Sequence, residues 1–353
     1  MTIDDLLQQS GSWLAPGTDH GPVISSRIRL ARNLKDAAFP GWAGEEECER
    51  IWKELQPVLL SVHAGSMLSA FGMAELKELD KQILFERHLI SREQAEKGKG
   101  SGLVVAADES VSFMVNEEDH LRLQSIRPGL DIVGAWRMLD GIDTEIEKSV
   151  SYAFSPRLGY LTACPSNVGT GMRASVMLQV PGLVLMGEVN PIIKGVSKIG
   201  LAVRGLWGEG TEAVGNMFQI SNQIRLGERE DQIIASLEQI VLEVVEHEKN
   251  ARVRLMEKRE SLVRDHVGRA YGILTNAHIL SSKEALDLLS ALRLGIDLGI
   301  LKPMNGRVID ELVLKTQPAH LQKMEGKALK PKDRDKARAS LVRSEIARAA
   351  KSM

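Results

Sequence analysis

Three acids stand side by side in the stretch MVNEEDHLRL, at Glu117, Glu118 and Asp119, with an apolar run before them and His120 and Arg122 after. Adjacent carboxylates repel one another unless something positive sits against them, so the chain invites a cation here. The arginines pose the opposite problem. In SSRIRLARN, residues 25–33, strand periodicity puts Arg27 and Arg29 on one face and Ile28 and Leu30 on the other. Two guanidinium groups with no acid between them want an anion; the bland alternative is a solvated basic edge strand. TACPSNVGTGMRASV, residues 162–176, sets glycines ahead of what reads as a helix start, with Arg173 in its first turn. Free backbone N–H groups at such a place favour phosphate. Cys164 in this stretch has the residue type of a packed small side chain, though polar neighbours leave a reactive role open. VRGLWGEGTE, residues 203–212, repeats the combination: a strand ending in Arg204, then a glycine-rich loop with acids. One such loop means little; three arginine-bearing segments plus Arg122 carry more weight.

These residues need a scaffold. The 353 residues suffice for two domains with real cores. The formal net charge of −2 gives no global pull toward nucleic acid or membrane. Two cysteines, Cys48 and Cys164, exclude a disulfide framework and suit a reducing cytosol. The start, MTIDDLLQQSGSW, lacks the basic and apolar regions of a signal peptide. No apolar run approaches the roughly 20 residues that span a bilayer, so a cytoplasmic protein is expected.

Residues 45–95 read as helices. Gly98 to Gly102 reads as a flexible linker or lid, and is not a P-loop, which needs GxxxxGK[ST] opening a helix. LVVAADESVSFMV predicts two strands joined at Asp108–Glu109, and the alternation around Leu121 and Leu123 predicts a half-buried strand. Further short apolar runs follow at 158–163, 183–189, 199–206 and 217–224. GMRASVMLQV reads as a helix opened by Thr170 and closed before Pro181. From Glu230 to about Ala270 apolar residues recur at helical spacing. SSKEALDLLSALRLGI is a further helix, with Ser281 and Glu284 at capping-box spacing, and a basic segment opens at Pro331. The expected organisation is a mixed α/β domain over residues 1–255 and an all-helical domain over 256–353.

SSRIR, VNEEDHLR, CPSNVGTGMRASV and RGLWGEGTE stand here in the order and spacing of the phosphagen (guanidino) kinase catalytic domain, which residues 25–212 resemble. The resemblance implies an α+β catalytic domain, an antiparallel sheet flanked by helices, that moves the γ-phosphoryl group of ATP, carried with Mg2+, to a guanidinium nitrogen. Arg27, Arg29, Arg122, Arg173 and Arg204 then resemble the arginines that clamp the nucleotide phosphates, and His88 a nucleotide-contacting histidine. The nucleotide segments are Ser25, Ser26, Arg27, Ile28 and Arg29; Arg173, Ala174, Ser175, Val176 and Met177; and Arg204, Gly205, Leu206, Trp207, Gly208 and Glu209. Met177 stands where relatives commonly have a histidine. Glu118 resembles the catalytic glutamate, Glu117 its neighbour near magnesium, Glu209 a second guanidinium-binding acid, and Cys164 the active-site cysteine. No protein side chain is expected to bind the metal directly. The cation that the acids want is thus a guanidinium, whose planar fork suits carboxylates at fixed angles.

Small-molecule members carry a helical domain ahead of the first arginine motif, and SSRIR at residue 25 leaves no room for one. A basic helical region follows instead, which resembles the protein-arginine kinase branch of the family and implies arginine side chains of proteins as substrates. Near the end, RDKARA (Arg334, Asp335, Lys336, Ala337, Arg338, Ala339) resembles that branch's phosphoarginine-binding RDxxRA motif, an allosteric site. On a helix Arg334 and Arg338 share a face and can grip a phosphoryl group, while Asp335 accepts from the ligand's guanidinium; a solvated basic helix is the bland alternative. RDHVGRA at 264–270 spaces its arginines less well. The resemblance further implies a bacterial stress response with an activator protein, a heat-shock transcription repressor as substrate, a Clp-type ATPase/protease that degrades marked proteins, and a homodimer. The alternatives are a small-molecule arginine kinase and a phosphoarginine-binding adaptor.

Overall fold

The structure, a computed structural model, describes residues 1–14, 21–206, 214–223, 226–301 and 306–351. Its strands are β1 (Val23–Arg32), β2 (Leu68–Gly72), β3 (Gly102–Ala106), β4 (Val111–Val115), β5 (Leu121–Pro128), β6 (Phe154–Ser155), β7 (Gly159–Tyr160), β8 (Met172–Gln179), β9 (Leu201–Gly205) and β10 (Met217–Asn222). The helices are α1 (Ile3–Leu6), α2 (Glu45–Ser61), α3 (Glu78–Glu86), α4 (Arg92–Glu96), α5 (Ile132–Glu147), α6 (Pro181–Met186), α7 (Val189–Lys198), α8 (Glu230–Asn276), α9 (Ser282–Asp297), α10 (Gly306–Lys315), α11 (Pro318–Met324) and α12 (Pro331–Lys351).

Among the described residues the main sheet runs β2-β3-β4-β5-β1-β8-β10-β9, antiparallel at every step. This is the expected α+β architecture, with helices on the sheet and a helical region after it. Register decides the site. Arg29 pairs with Arg173 across β1 and β8, Arg27 with Ser175, Arg29 with Gln124 on β5, and Gln219 on β10 with both Met177 and Arg204. Paired residues share a face, so five strands present arginines, serines and glutamines together. The other face carries Ile28, Leu30, Leu121, Leu123, Ala174, Val176 and Ile220, buried against Leu139 and Ile142 of α5 and Leu237 and Val241 of α8.

GMRASVMLQV is therefore strand β8 and not a helix. Met172, Ala174, Val176 and Leu178 enter the core, while Arg173, Ser175 and Met177 lie on the arginine face. Arg173 extends from a sheet face, not from a helix N-terminus. Residues 45–95 also hold a strand, β2, which pairs with β3. The run at 183–189 is largely helix α6. The stretch Gly98 to Gly102 leads into β3 with Gly98 and Lys99 exposed and Gly100 to Gly102 packed, so it is not a free linker throughout. At Gly100 (φ +79°) an added Cβ would lie 2.7 Å from Cβ of Cys48, and at Gly102 it would lie 2.3 Å from the Trp52 ring.

The long helix α8 bends at Arg259 (φ −142°, ψ 31°). Its first part covers the sheet. Its last turns, with Ala270 and Leu274, join α9, α10 and α12 in a second core that also takes in Trp13, Ile126, Met177 and Leu206. Ser281 caps α9 by accepting from the Glu284 N–H at 3.2 Å.

Candidate active site

Among the described residues no carboxylate is bonded to Arg27 or Arg29. Arg27 Nη2 donates to Gln219 Oε1 at 2.8 Å, and Arg173 Nη2 to Ser221 Oγ at 3.0 Å. Both acceptors are neutral. Arg29 Nε is buried and has no hydrogen-bond partner among the described residues. Burial holds the Arg29 guanidinium well below its ordinary pKa, with Arg27, Arg122 and Arg173 adding repulsion and Glu117 opposing it. Burial and then Arg122 push Arg27 down to about 10. Arginine keeps its proton at neutral pH even so, so Arg27 and Arg29 place two neighbouring cations on this face, which suits an anion.

Two cavities adjoin that face. The first, about 190 Å³, is lined by Arg27, His88, Ser91, Gln124, Leu206 and Gln219 together with Arg29, Arg122, Arg173 and Arg204. A small recess continues from it between Trp13, Ser25, Ser175 and Met177. The His88 ring stands edge-on to Trp13 with centroids 4.8 Å apart. Burial, then Arg27 and Arg29, push His88 down to about 3, so the imidazole is neutral. A flat apolar wall with a neutral ring suits a base, and the arginines beside it suit phosphates.

The second cavity, about 350 Å³, is lined by Glu118, Asp119, Cys164, Ser166 and Asn222 and by the same Arg29, Arg122, Arg173 and Arg204. The β4–β5 turn delivers the acids to it. Asn116 (φ 55°) opens the turn and anchors it through Nδ2 to the Cys48 and Gly100 carbonyls, at 2.8 and 2.7 Å. The three acids then part company. Glu117 turns inward, where both carboxylate oxygens take Nη1 of Arg122 at 2.7 Å and Oε1 accepts from the Ser91 hydroxyl. Burial would raise its pKa, but Arg122, Ser91 and the Glu118 N–H together hold it low. Asp119 Oδ1 accepts from Asn33 Nδ2 at 2.5 Å and from Ala163 N at 2.7 Å, which fastens the acid turn to the segment carrying Cys164. Glu118 and Asp119 both line the cavity, but Asp119 is buried and bonded, whereas Glu118 is exposed and its carboxylate has no hydrogen-bond partner among the described residues. Desolvation raises its pKa first, and Asp119 and Glu117 raise it further. Cys164 lines the same cavity, partly exposed, with Sγ 3.0 Å from Ser166 Oγ.

His120, next to the acids in sequence, is structural. Its Nδ1 accepts from Leu34 N and its Nε2 donates to the Ala38 carbonyl, both at 3.0 Å.

The structure thus gathers Arg27, Arg29, Arg122, Arg173, Arg204, His88, Glu117, Glu118 and Cys164, with Ser25, Ser175, Met177 and Leu206 beside them. Ile28, Ala174 and Val176 point into the core, and Ser26 Oγ donates to the Gly129 carbonyl, so these side chains do not reach the cavities. Gly205 closes β9. Trp207, Gly208 and Glu209 lie outside the described residues. Sequence reasoning missed Asn33, Ser91, Trp13 and Gln219 and gave Asp119 no role. The alternation in MFQISN could have flagged Gln219; Asn33 and Ser91 show nothing until the acid turn is placed.

In the tail, α12 opens as expected at Pro331. Arg334 and Asp335 are half-buried and Lys336 exposed, while Ala339 packs in the second core. Arg338 is 1% exposed: Nε donates to the Thr316 carbonyl, and Nη1 to the Leu280 carbonyl and to Asp335 Oδ1, at 2.7–2.8 Å. Among the described residues Nη2 alone of its three nitrogens has no hydrogen bond, and Asp335, expected to accept from a ligand's guanidinium, is bonded to Arg338 instead.

Comparison with known proteins agrees with this arrangement. Residues 51–251 match the ATP:guanido phosphotransferase C-terminal catalytic domain, and residues 260–353 the protein-arginine kinase McsB C-terminal domain. A protein-arginine kinase of Halothermothrix orenii is 44% identical over 348 residues, 98% of this chain and 99% of that protein. One of Moorella thermoacetica is 44% identical over 97% of this chain and 99% of its own length. Among solved structures, the duplicated taurocyamine kinase of Schistosoma mansoni with transition-state-analogue components superposes with TM-score 0.60 at 28% identity, covering 69% of this chain and 35% of that one. Lombricine kinase gives TM-score 0.58 at 25% identity, with 70% of each chain covered. The chain belongs to the ATP:guanido phosphotransferase family, on the branch of the protein-arginine kinases whose C-terminal domain it shares.

Proposed function

We propose that this chain moves the γ-phosphoryl group of ATP to arginine side chains of proteins. One observation carries the reading: two cavities share Arg29, Arg122, Arg173 and Arg204, with a neutral histidine on one side and an unpaired glutamate on the other. The four arginines stand where a phosphoryl group would pass between base-side and acid-side ligands. Such transfer needs chiefly positioning and charge stabilisation. ATP lies along His88 and Arg27 with its phosphates on the arginines; a guanidinium enters against Glu118.

The chemistry limits what Glu118 does. A guanidinium is a far weaker acid than a glutamic acid, so its prior deprotonation by the carboxylate is uphill by roughly 13 kcal/mol. Glu118 therefore orients the nitrogen and takes its proton as the N–P bond forms and the bond to the β-phosphate oxygen breaks. The raised pKa of Glu118 helps in that direction. Glu117 acts at one remove by fixing Arg122. Magnesium enters with the nucleotide; among the described residues no group of three or more His, Cys, Asp or Glu side chains gathers to hold a metal ion.

Protein-borne arginine as acceptor, rather than a free guanidino compound, is supported by the C-terminal domain shared with the protein-arginine kinases. We place the functional division near residue 255, beside the bend at Arg259 and between the two matched segments. The phosphoarginine site at Arg334, Asp335 and Arg338, the stress-response setting with its activator, repressor and Clp-type protease, homodimer formation and a cytoplasmic location belong to the same reading. No helix among the described residues is long and apolar enough to cross a membrane.

The test is ATP with a mixed protein substrate, read by mass spectrometry under non-acidic conditions because the N–P bond is acid-labile. Phosphoarginine on protein is the expected product. Equal turnover of free arginine would return the small-molecule reading, and phosphoserine alone would defeat both.

A further inference from the structure

His88 lines the nucleotide cavity, but part of what holds it lies more than two hundred residues further along the chain. Its backbone is left-handed (φ 60°), a conformation that a side-chain-bearing residue adopts only when its surroundings enforce it. Gln124 Nε2 donates to the His88 carbonyl at 2.7 Å, and His88 N donates to Phe85 O at 2.9 Å. The two preceding residues, Glu86 and Arg87, are tied to α11.

Glu86 ends α3, and its carboxylate covers the start of α11: Oε1 accepts from Ala319 N at 2.8 Å and Oε2 from His320 N at 3.1 Å, with His320 Nδ1 at 2.7 Å. Arg87 donates through Nε and Nη2 to Glu109 Oε1 and through Nη2 to the Gln9 carbonyl, and its Nη1 lies 3.3 Å from His320 Nε2. A guanidinium can only donate, so His320 Nε2 accepts and Nδ1 carries the proton toward Glu86. One neutral ring thus bridges the two residues that lead into His88. Glu86, Arg87, Glu109 and His320 are 6%, 1%, 1% and 2% exposed. The carbonyl of Thr316, just ahead of α11, accepts from the buried Arg338.

We infer that His320 is a positioning residue for the nucleotide site, holding His88 in place through Glu86 and Arg87. The inference rests on the reading of His88 as a nucleotide contact. It explains why a buried charged network lies where α3 meets α11: the C-terminal region helps to shape the pocket for the nucleotide.

The experiment is steady-state kinetics on the full chain with varied ATP and with varied protein substrate, plus ADP binding by calorimetry, for His320→Ala, His88→Ala and the double variant. Coupled neighbours interact by enough to change affinity several-fold to a hundredfold, so His320→Ala should raise the KM for ATP and the Kd for ADP roughly tenfold. kcat and the KM for protein should stay within about twofold of wild type, a split that general destabilisation would not produce. His320→Asn, which retains a donor toward Glu86, should recover most of the affinity. The double variant should be no worse than His88→Ala alone, because His320 acts through His88. Full additivity, or an unchanged KM for ATP in His320→Ala while His88→Ala raises it, would overturn the linkage. An unchanged KM in His88→Ala would instead remove His88 from the nucleotide site, and the inference with it. Should His320→Ala not fold, Glu86→Gln carries the same comparison, since it replaces one of the two acceptor oxygens facing Ala319 N, His320 N and His320 Nδ1 with a donor.

Discussion

Glu118→Gln keeps the shape of the side chain and removes its charge and its capacity to take a proton. General hydrogen-bond energetics set the size of the loss. A carboxylate meets an arginine fork with two charge-assisted bonds worth about 1.5–3 kcal/mol each, whereas neutral ones contribute about 0.5–1.5. That difference alone is roughly 2–3 kcal/mol. Losing the proton acceptor costs a further factor of about 10²–10⁴. Such effects overlap when one group does both, so kcat/KM should fall by at least about 10³-fold. ATP binding should survive, because Glu118 lines the acid-side cavity and not the His88 side. Stability should move the other way. The folded-state pKa of Glu118 is raised, so its contribution to stability is fully present below its unfolded pKa and is lost as pH rises through the folded value. At neutral pH the glutamine therefore costs nothing in stability and relieves repulsion from Glu117 and Asp119. The assay is single-turnover transfer from labelled ATP to protein, with nucleotide affinity and thermal melting on the same samples. Near-normal turnover would remove Glu118 from the mechanism; lost ATP affinity would mean that the two sides of the site are assigned the wrong way round; a sharply lower melting temperature would mean that the carboxylate is structural.

Glu117→Gln should behave differently, since it leaves the half-buried Arg122 without its counter-ion: a loss of about 3 kcal/mol in denaturant unfolding is expected, partly restored by saturating nucleotide. The pH profile of kcat/KM should show an acidic limb with its midpoint above the ordinary carboxylate value of about 4.3, because Glu118 must be ionised and its pKa is raised; in Glu118→Gln that limb should vanish from the residual rate. Gly102→Ala should destabilise by about 1–3 kcal/mol, since its Cβ would collide with the Trp52 ring at 2.3 Å, and the melting temperature reports this directly.

How far these features could be read from the sequence follows from which residues carry their own signal. The arginines and acids were legible because the chemistry demands those types at fixed positions on adjacent strands, and strand periodicity alone put Arg27 and Arg29 on one face. β8 was not legible. Its core face is Met172, Ala174, Val176 and Leu178, and its other face is closed over by the site, so Ser175 and Met177 are buried as well. Arg173, Ser175 and Gln179 do alternate with the apolar residues, but Met177 interrupts the pattern, and Met, Ala and Leu supplied helix propensity beside it. The turn at Gly98 to Gly102 misled for a related reason: Gly100 and Gly102 let Cys48 and Trp52 of α2 approach, and neither partner is near in sequence. Asp119 was visible as an acid, but its role as the tie between the Glu118 turn and the Cys164 segment exists only once Asn33 and Ala163 are beside it.

The placement of the arginine face explains how the fold tolerates it. Like charges crowded under partial burial oppose folding, and the lowered pKa values of Arg27 and Arg29 measure that opposition. A loop carrying the same residues could splay and let water in, which would relieve the repulsion and destroy the site. Here the guanidinium groups hang from β5, β1, β8 and β9, whose opposite faces are locked into the main core by Leu121, Leu123, Ile28, Leu30, Ala174, Val176 and Leu201. Relaxing the charges would require breaking register in the middle of the sheet, and a one-residue slip would turn Arg29 into the core and Leu30 out of it. The hydrophobic face therefore fixes the positions of the charges on the other face, and an anion placed among them would offset their mutual repulsion.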